Sequence, residues 1–445
     1  MTSMMETNVE PTSTLTDSLL AVNQLSYQMP PSLGIASSAR HRMEFAQMNS
    51  YNVGSNGGAS TIVFDLQSGS SFIDPAVSYF VFNVKHTSDD TKILMGFGSG
   101  SVANLIQTVT VRSRTGREIC RVENFNLITK YADLIQNSQD RLLTVMAAQG
   151  YSPIGSVYGS SVPFTGKTFI LPMSTIPCFA PINGKLLPPQ LMEGLRIEFR
   201  LESSNIAFTP STTAGVAPAN FNYTITRPYA HYMCYDLADA FQRQIAMVAA
   251  KSGLRLLHNE YFHTITSANT QQVNYDIKKA ASKALSCIVI PRLVTATTSA
   301  NADCFASIQN QIISYQGQIG SQYYPNAPLT ITDLSEDGNY ESYYYSMYSA
   351  SALGNRIPSI TPQQWTGAGT AVLVGDRTVY NNNFVMFNLN TSNVSNLVGM
   401  TLNNSRAFLI SLTTNTQISA GIRFDSYLSH LRATSVFTSN VTVLD

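Results

Sequence analysis

The chain has 445 residues, of which 44% are hydrophobic and only 12% charged, and its 27 basic side chains balance 27 acidic ones. A formal net charge of zero removes the long-range attraction by which a nucleic-acid binder neutralises phosphates, so direct sequence-specific nucleic-acid binding is not expected. The length exceeds what one hydrophobic core fills and implies two large domains, while a surface short of charge suits burial against other copies of the chain.

Residues 1–57 differ in composition from the rest of the chain. They are rich in Ser, Thr, Asn, Gln and Met, and they run into the glycine-rich segment Gly54-Ser55-Asn56-Gly57-Gly58. Within them Leu15, Leu19, Val22 and Leu25 recur at helical spacing, which predicts a short amphipathic helix in an otherwise extended N-terminal arm. Such an arm needs a partner to bury its apolar stripe. Strand-like alternation begins with Ile62, Phe64 and Leu66 and returns in Phe80, Phe82 and Val84. Helical patterns follow over Val122 to Leu134 and Asp140 to Ala148, as excursions between strands. The cleanest strand is Gly194 to Glu202, where Leu195, Ile197, Phe199 and Leu201 point to one face and Arg196, Glu198, Arg200 and Glu202 to the other.

Leu237, Phe241, Ile245 and Val248 predict a helix with Asp236 as N-cap and Gly253 as stop. β-like sequence resumes at Tyr261 and includes Phe384 and Met386, then Phe408, Ile410 and Leu412. Strands in both halves, separated by loops rich in Gly, Pro, Asn, Ser and Thr, fit packed antiparallel sheets better than βαβ units. The expected division is an arm over 1–57, a first β domain over 58–236, a connecting helix over 237–253 and a second β domain over 254–445. No internal repeat relates the two halves.

The residue types that carry chemistry do not converge. Cys120, Cys178, Cys234, Cys287 and Cys304 are odd in number and lack a CxxC or Cys/His spacing, so free thiols are expected and a zinc site is not. His258 and His263 fall on opposite faces of a strand and cannot share a metal; His41, His86, His231 and His430 are isolated. Glu198 and Glu202 alternate with arginines, which fits cross-strand ion pairing on an exposed face rather than a glycosidase pair, and Asp89 and Asp90 have no partner motif. Arg40-His41-Arg42 and Arg112, Arg114 and Arg117 read as solvated or interface arginines. No Gly-x-Ser-x-Gly elbow, Walker loop or His-Glu-x-x-His is present. No catalytic, cofactor or metal residues are therefore assigned, and no enzyme activity is expected. Tyr340, Tyr343, Tyr344, Tyr345 and Tyr348 fit either strand positions or a subunit interface. Trp365 fits either an interface anchor or a loop residue tucked onto its own domain. Nothing marks the chain for secretion, its apolar runs are too short to span a bilayer, and its five Asn-x-Ser/Thr sequons, at Asn222, Asn390, Asn393, Asn403 and Asn440, are expected to stay unmodified.

The order of features resembles the double jelly-roll major capsid proteins of large eukaryotic DNA viruses, virophages and especially polinton-like viruses. The resemblance rests on Phe72-Ile73-Asp74-Pro75 leading into Tyr79 to Lys85, on Asn104 to Val111 with the Thr115-Gly116 turn and the Asn124-Phe125-Asn126 helix start, on Leu187 to Leu201, on the interdomain helix, and on Ile319 to Pro325. It extends over most of residues 60 to 445. The resemblance implies an all-β chain of two tandem eight-stranded jelly rolls, three of which form a pseudo-hexameric homotrimeric capsomer that tiles an icosahedral shell. It further implies contacts with neighbouring capsomers and with penton and minor capsid proteins, assembly inside the host cell, and a final location in the virion capsid. The loops at Ser204 to Phe221, Thr295 to Asp303 and Tyr343 to Val379 are then candidates for an outer tower. Two other classes compete: a carbohydrate-binding or hydrolytic β-sandwich, which needs a secretion route and an aromatic and acidic cleft, and an outer-membrane β-barrel, which the five cysteines and the central helix count against.

Overall fold

Leu195–Leu201 alternates buried side chains with exposed or half-buried ones along its whole length, and Thr61–Leu66 and Phe408–Thr414 do the same. A strand with period two can present one dry and one wet face only as part of a layered sheet, and that is how each of these is used. The computed structural model describes residues 38–54, 60–88, 95–97, 100–151, 162, 165–180, 186–192, 194–210, 221–251, 253–294, 304–305, 307, 312–331, 340–351, 360, 362, 365, 383–389, 399–403, 406–414, 421–437 and 441–444.

The first half supplies β1 (Ser38–Phe45), β2 (Ser50–Val53), β3 (Thr61–Leu66), β4 (Phe72–Ser88), β5 (Met95–Gly96), β6 (Ile106–Arg112), β7 (Glu118–Glu123), β8 (Lys167–Pro172), β9 (Leu195–Leu201), β10 (Thr209–Pro210) and β11 (Phe221–Asp236). One sheet runs β1-β11-β4-β8, with β2 continuing the β1 line along β11, and the facing sheet runs β3-β9-β6-β7. The second half supplies β12 (Leu254–Ala268), β13 (Gln272–Ile277), β14 (Ala281–Leu293), β15 (Ile312–Ile319), β16 (Gln322–Thr330), β17 (Val385–Asn388), β18 (Met400–Leu402), β19 (Phe408–Thr414), β20 (Ile422–Val436) and β21 (Val441–Leu444). Its sheets run β12-β20-β14-β17 and β13-β19-β15-β16.

Counted within each half, with β1 and β2 as one interrupted strand and β5, β10, β18 and β21 as additions, both halves share one order. It is first-eighth-third-sixth in one sheet and second-seventh-fourth-fifth in the other. Neighbouring strands in these sheets are antiparallel. This is the eight-stranded jelly roll, present twice. The duplication that the sequence does not display is explicit in the topology.

Each roll closes on an aromatic centre contributed by both of its sheets. In the first, the Phe199 ring lies 5.9 Å from Phe64, 5.0 Å from Phe80 and 6.1 Å from Phe82, each edge to face, the geometry aromatic quadrupoles favour. In the second, Phe387 meets Tyr315 at 5.6 Å and Phe408 at 5.3 Å in the same way.

Several sequence expectations change. Ser38–Phe45 and Ser50–Val53, read as part of the arm, are strands: β1 pairs with Tyr229–Asp236 along its whole length, because its backbone is satisfied by the free edge of β11. The helix expected over Leu15 to Leu25 lies outside the described residues. The connecting helix spans Asp239–Lys251 rather than starting after Asp236. Asp236 is the last residue of β11, where its carboxylate accepts hydrogen bonds from the Ser38 and Ser71 hydroxyls. Gly253 ends the connection at φ +72°, a backbone angle that a side chain disfavours. The Tyr-rich segment is a helix, Glu341–Ser351, not a strand: Tyr340, Tyr344 and Tyr348 fall every fourth residue on an exposed stripe, while Tyr343, Tyr345 and Met347 face the core. Trp365 is fully buried on its own roll, donating from Nε1 to the Phe384 carbonyl at 2.7 Å.

Replacing Phe199 by Ala removes the ring that joins the two sheets of the first roll. We expect a loss of about 3–5 kcal/mol, read as a lowered midpoint in chemical denaturation, with an exposed change such as Val77→Ser nearly neutral.

Candidate functional site: the junction between the rolls

A set of buried polar groups lies where the first and eighth strands of the second roll, β12 and β20, meet the first roll. There the second roll packs against β7, the short turn at Pro177–Phe179 and the start of the helix Phe125–Gln136. Two carboxylates organise it.

Glu260, on β12, accepts the backbone N–H of Arg121 at 3.1 Å and the Arg432 guanidinium at 2.8 and 2.9 Å, and His430 Nε2 lies 3.5 Å away. Arg432 also donates to the Ile119 carbonyl. One ion pair of the second roll therefore satisfies a donor and an acceptor on β7 of the first. Burial by itself would raise the Glu260 carboxyl, but neighbouring His430, Arg432 and the Arg121 N–H together hold it below its ordinary value.

Asp425, on β20, has no exposed side-chain surface. Its Oδ2 takes Arg292 at 2.7 Å, and its Oδ1 takes Arg423 and His263 Nε2 at 2.9 Å each. Desolvation opposes the charge, yet the His263 hydrogen bond and the two arginines overcome it and hold the carboxyl well below the usual carboxylate range. His263 stacks on Tyr427 at 4.5 Å and reaches Asn124 of the first roll through Nδ1 at 3.3 Å, while the Tyr427 hydroxyl donates to the Asn124 carbonyl. Asn124 sits at φ +45° and begins the helix Phe125–Gln136. Asn tolerates that left-handed conformation better than most residues, and partners from the second roll hold both its side chain and its carbonyl. Lys130, further along the helix and buried, donates from Nζ to the Phe305 carbonyl of the second roll at 2.7 Å. Tyr131 adds an edge-to-face contact with Phe384.

The residues weighed in the sequence disperse around this junction without forming a reactive centre. Glu198 lies on an open face 3.4 Å from Arg112, and Arg196 pairs with Asp65 at 2.8 Å. Glu202 departs from the expected exposed row. It is buried beyond the end of β9, taking hydrogen bonds from Asn126 and the Ser203 N–H, and burial raises its carboxyl. His258 and His263 have separate partners, Thr434 and Asp425. All five cysteines are free. Arg117 reaches the Val443 carbonyl of the second roll. Asp89 and Asp90 lie outside the described residues, as do Thr295 to Asp303, much of Ser204 to Phe221 and most of Tyr343 to Val379. Among the described residues, no group of three or more His, Cys, Asp and Glu could hold a metal ion, and no helix is long and apolar enough to cross a membrane.

Sequence reasoning missed Asp425, Glu260, Arg292 and Arg432. The available signal was a charge close after an apolar run, as at Arg292 beyond Cys287 to Ile290, in a chain where charge is scarce.

No family model matches this sequence, and no curated protein matches it. Solved structures do. The Sputnik virophage structure aligns over 100% of this chain and 93% of its own at a TM-score of 0.60 and 8% identity. The PBCV-1 virus capsid aligns over 93% and 98% at 0.56 and 13% identity. The Faustovirus major capsid protein aligns over 96% and 95% at 0.53 and 9% identity. At such identities the likeness is one of fold, and the shared fold is the double jelly roll of these capsid proteins.

Replacing Asp425 by Asn leaves Arg292 buried beside a neutral partner, and we expect a loss of about 3–5 kcal/mol in chemical denaturation at neutral pH. The pH dependence has a definite sign. Asp425 and Glu260 are both depressed in the folded chain, so their contribution is complete above the unfolded carboxylate range, about 4, and is lost as pH falls below it. Thermal melts from pH 7 down to 3 should show that loss, with a shallower acid limb in Asp425→Asn.

Proposed function

We propose that this chain is a major capsid protein: a structural subunit whose three copies form a pseudo-hexameric capsomer that tiles the icosahedral shell of a DNA virus. The observation that carries the reading is the pair of rolls with identical strand order, clamped by a buried polar junction into one rigid tandem. Two like barrels per chain give six per trimer, the outline needed for hexagonal tiling by closed point-group symmetry. The fold shared with the PBCV-1, Sputnik and Faustovirus capsid structures over nearly the whole chain supports it.

On this reading the protein acts by shape and contact and carries out no catalysis. It is made and assembled inside the host cell, and it resides in the virion capsid. Its partners are its own copies, neighbouring capsomers, and penton and minor capsid proteins. The resemblance in the sequence points to the polinton-like and virophage lineage. Residues 1–37, which precede β1, would tie a trimer to its neighbours or to minor proteins.

Light scattering of the purified chain, followed by negative-stain imaging, tests the proposal. We expect a species three times 48.6 kDa with a hexagonal outline, or closed shells; a persistent monomer at high concentration would overturn it. Deleting residues 1–37 should leave the trimer intact and impair shell formation, and normal shells from that truncation would remove the role given to the segment.

A further inference from the structure

Two helices occupy equivalent places in the two rolls. Phe125–Gln136 follows β7, the fifth strand of the first roll, and Glu341–Ser351 follows β16, the fifth strand of the second. Their surroundings differ in one respect. The first helix is buried from Phe125 through Tyr131, because the second roll covers it. The second helix presents Tyr344, 69% exposed, and Tyr348, 42% exposed, with their rings stacked at 6.2 Å and Tyr340 one turn before them.

The opposite side of each roll shows the complementary difference. In the second roll the outer face of the first and eighth strands, with His263, Asp425 and Tyr427, is covered by the first roll. Among the described residues nothing covers the same face of the first roll, on β1 and β11: Met43 is 51% and Phe45 52% exposed. It is also aromatic, with His41 against His231 at 4.8 Å and Phe45 against Tyr229 at 5.7 Å. Each chain thus has one covered junction and one uncovered half of the same junction at either end.

We propose that the outer face of β1 and β11 receives the Tyr340, Tyr344 and Tyr348 stripe of a second copy, repeating between chains the junction found within the chain. The inference rests on the capsid reading and adds to it the surface and its direction. The contact is heterologous, with different patches meeting, and a heterologous contact closes into a ring only if its rotation divides the circle. If the step between chains equals the step within one, every roll meets its neighbours alike, and the three chains of the capsid reading would close as a ring of six like rolls. Burying tyrosines and methionines suits such an interface.

Two variants separate the surfaces: Met43→Asp with Phe45→Asp on the strand face, and Tyr344→Asp with Tyr348→Asp on the helix face. By analytical ultracentrifugation, each variant alone should be monomeric where the natural chain is trimeric. An equimolar mixture should give particles of two chains, because one chain's intact helix face meets the other's intact strand face and growth then stops. Circular dichroism and melting of each variant check folding; where a melt is lowered, alanine at the same positions should still weaken trimerisation at least tenfold. Trimers from either aspartate variant, or a mixture that stays monomeric although both variants keep the natural melt, would overturn the surface and leave the capsid reading standing. A natural chain that is monomeric throughout would overturn the capsid reading itself, and this surface with it.

Discussion

A carboxylate taken fully out of water must be met by charge and hydrogen bonds or it destabilises the fold, and Asp425 is met by Arg292, Arg423 and His263. That local requirement has a long-range consequence. His263, fixed through one ring nitrogen by Asp425, presents the other to Asn124, and Tyr427 beneath it holds the Asn124 carbonyl. The first roll's helix therefore begins at a point defined by the second roll. Glu260 and Arg432 repeat the device on the β7 backbone. An apolar contact of the same area would bind the rolls but tolerate sliding, whereas directional bonds to backbone groups fix one orientation. The proposed shell subunit would need that fixity, since an error in the angle between its two barrels would be repeated at every contact.

The jelly rolls themselves leave edges that have to be managed. β12, the first strand of the second roll, packs against β7 and the turn at Pro177–Phe179. β1, its counterpart in the first roll, pairs among the described residues with β11 on one side only. An exposed edge strand in a free-standing protein invites unwanted pairing, and apolar side chains such as Met43 and Phe45 beside it add to the liability. On the proposed capsid reading both become assets, and the low content of charge agrees with that reading.

Much of the fold was legible because it is written in local alternation. Leu195 to Leu201, Ile62 to Leu66 and Phe408 to Leu412 are strands with the faces their pattern assigns. Where neighbours on both sides are apolar the pattern fails: Val385 and Phe387 are as buried as Phe384 and Met386, since β17 is covered on both of its faces. The Tyr-rich segment carries residues with β propensity, yet forms a helix whose buried face, Ser342, Ser346 and Ser349, repeats at four and three residues. The duplication was illegible for a different reason. It resides in the order in which distant strands pair, and the same order can be reached with unrelated side chains. The junction was hidden likewise: Asp425 lies 133 residues from Arg292 and 162 from His263 in sequence, and the three become one site only when β12, β14 and β20 lie side by side.

Electron cryomicroscopy of the assembled particle addresses the central claim directly, namely that one rigid junction within the chain sets the geometry of the whole capsomer. The account predicts six upright barrels evenly spaced by about 60° around the particle axis, with Asp425 and Glu260 engaged as they are in the single chain. Barrels paired unevenly, or a particle in which the two rolls of one chain have rotated away from each other and opened the Asp425 cluster, would contradict it.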